Sequence, residues 1–278
     1  MKKLVISASR RTDIPAFYLK WFMDAIKKGK IGVQNPYYKK KSVEVDLSPQ
    51  YVEWIVFWSR NYAPFIRHHT FFSDYNLFFH FTVLTHHPLL EKSYIPAKQA
   101  IMQVENLVNL YSADQIIWRY DPIVIWKNGQ KIETNFDENN FKFLCRHFAR
   151  FGLKRCYFSF VSTYKKFETK FKKKHPHLVL ELDNIPRQYH ILETMKLIAA
   201  DFNIQLYSCC NDRFVNGGIF KGSCINGHLL NQLSNNSVSA SKSPTRKGCG
   251  CTHSIDIGNY SQQPCYFGCI YCYANPVW

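Results

Sequence analysis

The sequence predicts an α/β fold whose parallel strands form a partial or closed TIM-like βα barrel. Three observations carry that expectation. Short runs rich in β-branched and aromatic residues recur along the chain, and amphipathic stretches of helical period separate them. No Gly-rich phosphate loop follows the first run, where an open doubly wound sheet would normally offer one. Six or seven βα units in succession then favour a barrel.

The first strand is expected over 3–8, followed by a helix that Pro15 opens and Gly29 closes, proline being preorganised for a first helical turn. Residues 31–47 read as a hairpin insertion turning at Asn35-Pro36. Ser48-Pro49 marks a second helix start ahead of a strand over 55–59. Strands over 77–84 and 115–120 flank a helix over 101–111, whose apolar spacing accounts for Met102 without a cofactor. Asp137 caps a helix ending at Gly152, and a strand over 156–161 follows. Ile191, Met195 and Ile198 mark the apolar face of a further helix ahead of Asn203, and the next strand covers 204–208. Residues 234–248 are poor in apolar side chains and read as a mobile surface loop. The chain 1–278 is therefore expected to be a single barrel domain. It carries the 31–47 insertion, a cysteine-containing irregular segment over 209–252 and a C-terminal segment over 253–278.

With 46% hydrophobic and 16% aromatic residues, there is apolar surface enough for one large core. The apolar run from Leu4 to Ile6 soon meets Arg10 and Arg11, too short for an export signal, and no run reaches the roughly 18 apolar residues of a membrane span. A cytoplasmic protein with no membrane partner is expected. The net charge of +16 is concentrated in Lys39-Lys40-Lys41 and in KKFETKFKKK over 165–174, where aromatic residues are interleaved. Such a field attracts polyanions, nucleic acid among them; it also suits a surface that merely stays soluble.

The polar residues just after the strands are Ser9-Arg10-Arg11-Thr12-Asp13, Arg60-Asn61, Thr85-His86, Asp121, Ser162-Thr163 and Cys209-Cys210. In a parallel barrel these ends share one face, where such folds carry chemistry, although the same residue types also cap helices. Asp121 is expected to pair with Arg119 or to accept a proton. The adjacent pairs His68-His69 and His86-His87 do not share a face, so neither forms a local chelate; His86 alone stands at a strand end.

Ten cysteines in a reducing compartment point to metal or redox chemistry rather than disulfides. Cys145 falls on an apolar helix face with Phe141, Leu144 and Phe148, and Cys156 alternates with Phe158 and Phe160, so both are expected in the core. Cys265, Cys269 and Cys272 form a C-x3-C-x2-C pattern, which alone does not supply the four ligands of structural zinc. Thiolates also hold iron–sulfur clusters, and three of them on a four-iron cluster would leave one iron open. Cys209, Cys210, Cys224, Cys249 and Cys251, just upstream, form a possible second metal site for a cluster or zinc.

The residues CYFGCIYC over 265–272 resemble the cluster motif of radical S-adenosylmethionine enzymes, with Tyr271 as the aromatic residue before the third cysteine. The flanks Asn259-Tyr260, Gly268 and Tyr273-Ala274-Asn275 are similar to the opening of the spore photoproduct lyase-like branch. In that superfamily the motif stands near the N-terminus; here it comes last. The chain accordingly resembles a circularly permuted barrel in which SASRRTDIPAF follows the second strand, IVFWSRN, FFHFTVLT and WRYDPIV supply the next three, and residues 253–257 supply the first. SASRRTDIP, FWSRN and WRYDP, with the later CGC, DIG and GCIYCYAN, jointly resemble domain-of-unknown-function family 1848 over nearly the whole chain.

The resemblance implies a 4Fe-4S cluster on Cys265, Cys269 and Cys272, with S-adenosylmethionine on the fourth iron and a 5′-deoxyadenosyl radical as its product. It implies Tyr271 near the adenine and Ser7, Ser9, Thr12 and Asp13 within reach of the cofactor's polar groups, although no GGE-like motif is present. Asp13, Arg119 and Asp121 are the catalytic candidates. An electron donor such as a flavodoxin or ferredoxin is the implied partner, and nucleic acid a candidate substrate. The competing expectation is a non-catalytic zinc or iron–sulfur protein that binds nucleic acid through its basic surface.

Overall fold

The β-branched and aromatic runs become strands in the computed structural model, which describes residues 3–34, 42–162, 164–244, 248–274 and 276–277. In chain order the strands are β1 (Leu4–Ala8), β2 (Lys30–Gln34), β3 (Ser42–Asp46), β4 (Val52–Ser59), β5 (Asn76–Thr82), β6 (Ile116–Ile123), β7 (Ile125–Asn128), β8 (Lys131–Thr134), β9 (Arg155–Phe160), β10 (Leu178–Leu180), β11 (Gln205–Cys209), β12 (Ile219–Gly222) and β13 (Ile255–Asp256). The helices are α1 (Leu19–Lys27), α2 (Ala63–Arg67), α3 (Ala97–Leu110), α4 (Glu138–Arg150), α5 (Lys165–Lys174), α6 (Ile185–Asp201) and α7 (Gly227–Gln232). Residues Asn35, Pro36, Lys39, Lys40, Lys41, Thr163 and Asn275, on which some of the sequence expectations fall, lie outside the described residues.

Eight strands form one sheet in the order β12-β11-β9-β6-β5-β4-β1-β13, and every neighbouring pair is parallel. From β1 to β12 each new strand adds on the same side of the last, so the order never reverses as it does in a doubly wound sheet. β13 adds outside β1, with Ile6 opposite Ile255 and Ser7 opposite Asp256. The strand expected over 253–257 thus forms, shortened to two residues, and sets the C-terminal segment beside the first strand.

Strand alternation splits the interior in two. Ile6, Phe57, Phe79, Trp118, Phe158 and Leu206 face the helices and pack with Phe22, Leu107, Leu144 and Met195. Cys145 and Cys156 belong to this core, both fully buried. The opposite face carries Val5, Trp54, Val56, Phe78, Ile117 and Tyr157, covered by Ile225, Leu230, Val238, Cys249 and Cys251 from the irregular segment.

α4 begins where its cap was expected: Asp137 Oδ1 accepts a 2.7 Å hydrogen bond from Asn140 N. Asp137→Ala should cost about 1 kcal/mol. In a thermal melt followed by far-UV circular dichroism, that is a fall of about 2 °C.

The structure corrects several expectations. No helix begins at Ser48-Pro49: Ser48 N and Oγ both donate to Asp46 Oδ1, at 2.8 and 2.5 Å, and a single turn leads straight into β4. The β-branched run that follows leaves that helix no length. Met102 lies on the exposed side of α3, whose buried face is Ala100, Ile101, Val104 and Leu107. The 234–248 stretch is not all surface, because Val238 is buried and bridges to Lys3. The hairpin insertion does form, as antiparallel β2 and β3. A second, small antiparallel sheet, β10-β7-β8, was not expected. Among the described residues no helix is long and apolar enough to cross a membrane.

Candidate functional site

After β13 the chain passes over the carboxyl ends of the neighbouring strands. Gly268 makes that path possible: its φ is +63°, and a Cβ there would stand 2.8 Å from both Lys92 Cβ and Val277 O. Backbone bonds then pin the motif, Ile270 N to Leu90 O at 2.8 Å, Ser93 N to Phe267 O at 3.1 Å and Val277 N to Cys265 O at 2.9 Å. Phe267, Ile270 and Tyr271 pack among Leu90, Trp126, Phe167 and Phe171. Cys265, Cys269 and Cys272 border this apolar cluster as free thiols. Burial pushes all three thiols up, Cys269 to about 12 despite the opposing pull of Arg60, and the charges of Cys269 and Cys272 each bear on Cys265. The three are thus gathered within electrostatic reach of one another.

Arg60, the residue after β4, is the hub beside them. Its Nη1 donates to Glu91 Oε1 at 2.5 Å, Cys269 Sγ at 3.1 Å and Tyr271 OH at 3.1 Å, and its guanidinium lies 5.8 Å from the centre of the Phe267 ring. Tyr271 OH in turn donates to Glu91, and His86 Nδ1 sits 3.2 Å from the other carboxylate oxygen. Burial would raise the Glu91 carboxyl, but Arg60 and the hydrogen bonds from His86, Arg60 and Tyr271 hold it at about 2. The sequence reading named Tyr271 and His86 but missed Glu91 and Arg60 as partners; nothing in HHPLLEK marks Glu91 as buried.

At the end of β1, Ser7 Oγ and Ser9 Oγ both donate to Asp256, at 2.7 and 2.6 Å, joined by Arg10 N at 2.8 Å and Gly258 N at 3.1 Å. Asp13 caps the turn that opens the first helix: it accepts from Ala16 N at 3.0 Å, Ser59 Oγ at 2.7 Å and Arg60 N at 2.9 Å. Burial pushes its carboxyl up to about 6 against those hydrogen bonds. Thr12 Oγ1, beside it, is buried and makes no hydrogen bond. Asp256 was not singled out from the sequence, although an acidic residue within an expected strand was a signal.

The five upstream cysteines also come together, on the sheet face opposite the helices. Cys209 Sγ is 3.9 Å from Cys210 Sγ and 3.5 Å from Cys224 Sγ; Cys224 is hydrogen-bonded with Cys251, and Cys251 with Cys249. Arg119 reaches in from β6, donating from Nη1 to Cys224 Sγ at 3.1 Å and from Nη2 to Cys209 Sγ at 3.7 Å, while also pairing with Asp121 at 2.5 Å. The ion pair expected for Asp121 is therefore formed. Hydrogen bonds from Cys209 and Cys251, with the Arg119 guanidinium, hold the Cys224 thiol well below its usual range. His80, stacked on Trp58, is kept neutral by burial and by Arg119, at about 3, and its Nε2 lies 2.6 Å from the Cys224 carbonyl. Among the described residues no three or more His, Cys, Asp or Glu side chains stand as a ready-made metal-holding group; the thiols instead contact one another.

The basic stretch over 165–174 is helix α5, and its aromatic residues do not face outward. Phe167 and Phe171 are buried, so no stacking surface accompanies the lysines, which is a correction to the interleaved basic-aromatic reading. α5 packs beside the cysteine triplet: Lys166 Nζ donates to Ala274 O at 2.7 Å.

A family model described as a domain of unknown function, DUF1848, matches residues 5–274. No curated protein matches.

Proposed function

The chain belongs to the DUF1848 family of unknown function, and from that premise and the geometry of the terminal cysteines we propose that it is a radical S-adenosylmethionine enzyme on a circularly permuted, partial or closed βα barrel. One observation supports the reading: three free thiols at C-x3-C-x2-C spacing border one apolar cluster, and Cys269 among them lies 3.1 Å from Arg60, the residue that follows β4. The donor set fits a cluster held by Cys265, Cys269 and Cys272, because all are soft sulfur ligands and Arg60, 3.1 Å from Cys269 Sγ, offsets thiolate charge. The unpartnered Thr12 hydroxyl fits a polar group of S-adenosylmethionine. When bound and reduced, the cluster would supply one electron for cleavage of the sulfonium to methionine and a 5′-deoxyadenosyl radical.

The protein's own residues then bind and shield. Arg60 and Glu91 orient Cys269 and Tyr271, Asp256 holds the C-terminal segment against β1, and Phe267, Ile270 and Tyr271 keep water out from below. Asp121 and Arg119 are the polar pair available on the inner face of β6. A small electron-carrying protein such as a flavodoxin or ferredoxin is the proposed reductant partner, and nucleic acid the proposed substrate class, drawn by the lysines of α5.

Anaerobic reconstitution should add about four irons at the triplet. S-Adenosylmethionine with a strong reductant should then yield 5′-deoxyadenosine, read by liquid chromatography, and Cys269→Ala should abolish it. A Cys269→Ala protein that still makes 5′-deoxyadenosine, or a wild-type protein that takes up no iron, rules the reading out.

A further inference from the structure

We propose that Cys209, Cys224, Cys249 and Cys251 form a tetrahedral thiolate site for one zinc ion, separate from the terminal triplet. Zinc with bonds of about 2.3 Å to four sulfurs spaces those sulfurs about 3.8 Å apart. One ligand pair already stands near that separation, Cys209 and Cys224 at 3.5 Å, and hydrogen-bond contacts run on from Cys224 to Cys251 and from Cys251 to Cys249. An iron cube holds each thiolate on a different corner and keeps them farther apart than touching, so contact spacing favours a single ion. Small side-chain rotations bring the sulfurs from mutual contact to a common centre.

The backbone around these sulfurs is built for close approach. A Cβ on Gly250 would stand 2.4 Å from Ser223 Oγ, so the Cys249-Gly250-Cys251 turn lies close against the turn bearing Cys224. Ile225 N lies 3.5 Å from Cys251 Sγ, and Thr252 N donates to Ile225 O at 2.9 Å. Arg119 directs two N–H groups at Cys224 and Cys209, and a guanidinium can only donate, so the sulfurs it meets must accept, as metal thiolates do. Zinc binding would form four Zn–S bonds and release the thiol protons to solvent.

The site's place in the topology gives it a task. Cys209 ends β11 and Cys224 follows β12, at one edge of the sheet, whereas Cys249 and Cys251 lead into β13 at the other edge. One ion would stitch the two edges together across the inner face, and so fix the segment that delivers the cysteine triplet.

The test uses the full chain with Cys265→Ala, Cys269→Ala and Cys272→Ala, which removes the terminal triplet and makes the outcome independent of the radical-enzyme reading. Elemental analysis of this variant should find about one zinc per chain. Exchange with Co(II) should give the thiolate-to-cobalt charge-transfer and d–d bands of a tetrahedral sulfur site. Adding Cys224→Ser should remove the zinc, and chelation should speed protease cleavage between residues 230 and 250. A triple variant that carries no zinc, carries iron with sulfide, or shows Cys209 and Cys224 joined as a disulfide overturns the proposal. Should Cys224→Ser fail to fold, the cobalt spectrum of the triple variant alone decides.

Discussion

Replacing Asp256 with alanine is expected to destabilise the protein by about 3 to 5 kcal/mol, the range for breaking a buried charged network from one side. Asp256 is 9% exposed and accepts hydrogen bonds from two hydroxyls and two backbone N–H groups, while Arg10 and Arg11 lie 3.5 and 3.6 Å from its oxygens. Alanine leaves Ser7 and Ser9 buried without an acceptor and two guanidiniums without a counter-charge. β13 is only two residues long, so its ladder with β1 is short and the side chain carries much of the attachment. Thermal denaturation should show the loss, and limited proteolysis of the native protein should show earlier cleavage beyond residue 250. Asp256→Asn keeps one acceptor oxygen and should cost less than half as much. An alanine variant melting within about 0.5 kcal/mol of wild type, as ordinary surface changes do, would refute this account of the β1–β13 junction.

Glu91→Ala is expected to cost a similar 3 to 5 kcal/mol, again about the range for a buried pair broken from one side. Glu91 is 2% exposed and receives Arg60, His86 and Tyr271. Its loss strands the Arg60 guanidinium inside the protein and removes the group that fixes Tyr271, so the cysteine triplet loses its lateral support. The same carboxylate should shape the acid limb of stability. Folding lowers its pKa from 4.5 to about 2, so the folded state binds fewer protons in between. The stabilisation is therefore whole above the ordinary glutamate value and drains away as pH falls from 4.5 towards 2, a loss of about 3 kcal/mol. Wild type should show a steep decline across that window in urea titrations, and Glu91→Ala a shallower one. Equal slopes in the two proteins would mean that Glu91 is not held ionised by its neighbours.

The parallel strands were legible because each is a short apolar run set off from amphipathic helices, and Cys145 and Cys156 because their neighbours share a hydrophobic face. The pairing of a strand near residue 255 with β1 was legible only through resemblance: its bounds were expected at 253–257, and two residues of it pair. The antiparallel β10-β7-β8 sheet escaped, because strands of three or four residues leave too little alternation to register. Ser48-Pro49 misled because a serine before a proline signals a helix start, whereas here Asp46 captures that serine in a local turn. The cysteines announced themselves by spacing, but their partners did not. Arg119 was a candidate and Arg60 a strand-end residue, but their contacts with the cysteines, and the place of Glu91 beside Arg60, arise at separations from 31 to 209 positions, which no local pattern encodes.

The bond between Ser7 and Asp256 spans 249 positions of the chain. During synthesis, the outer edge of β1 stays unpaired until the residues of β13 have followed it, a bare strand edge being a template for misassembly. Both sulfur clusters share that schedule, since Cys249, Cys251 and the triplet flank the same late strand. Assembly is thereby ordered in time: the strands from β1 to β12 are laid down before the one that covers the β1 edge.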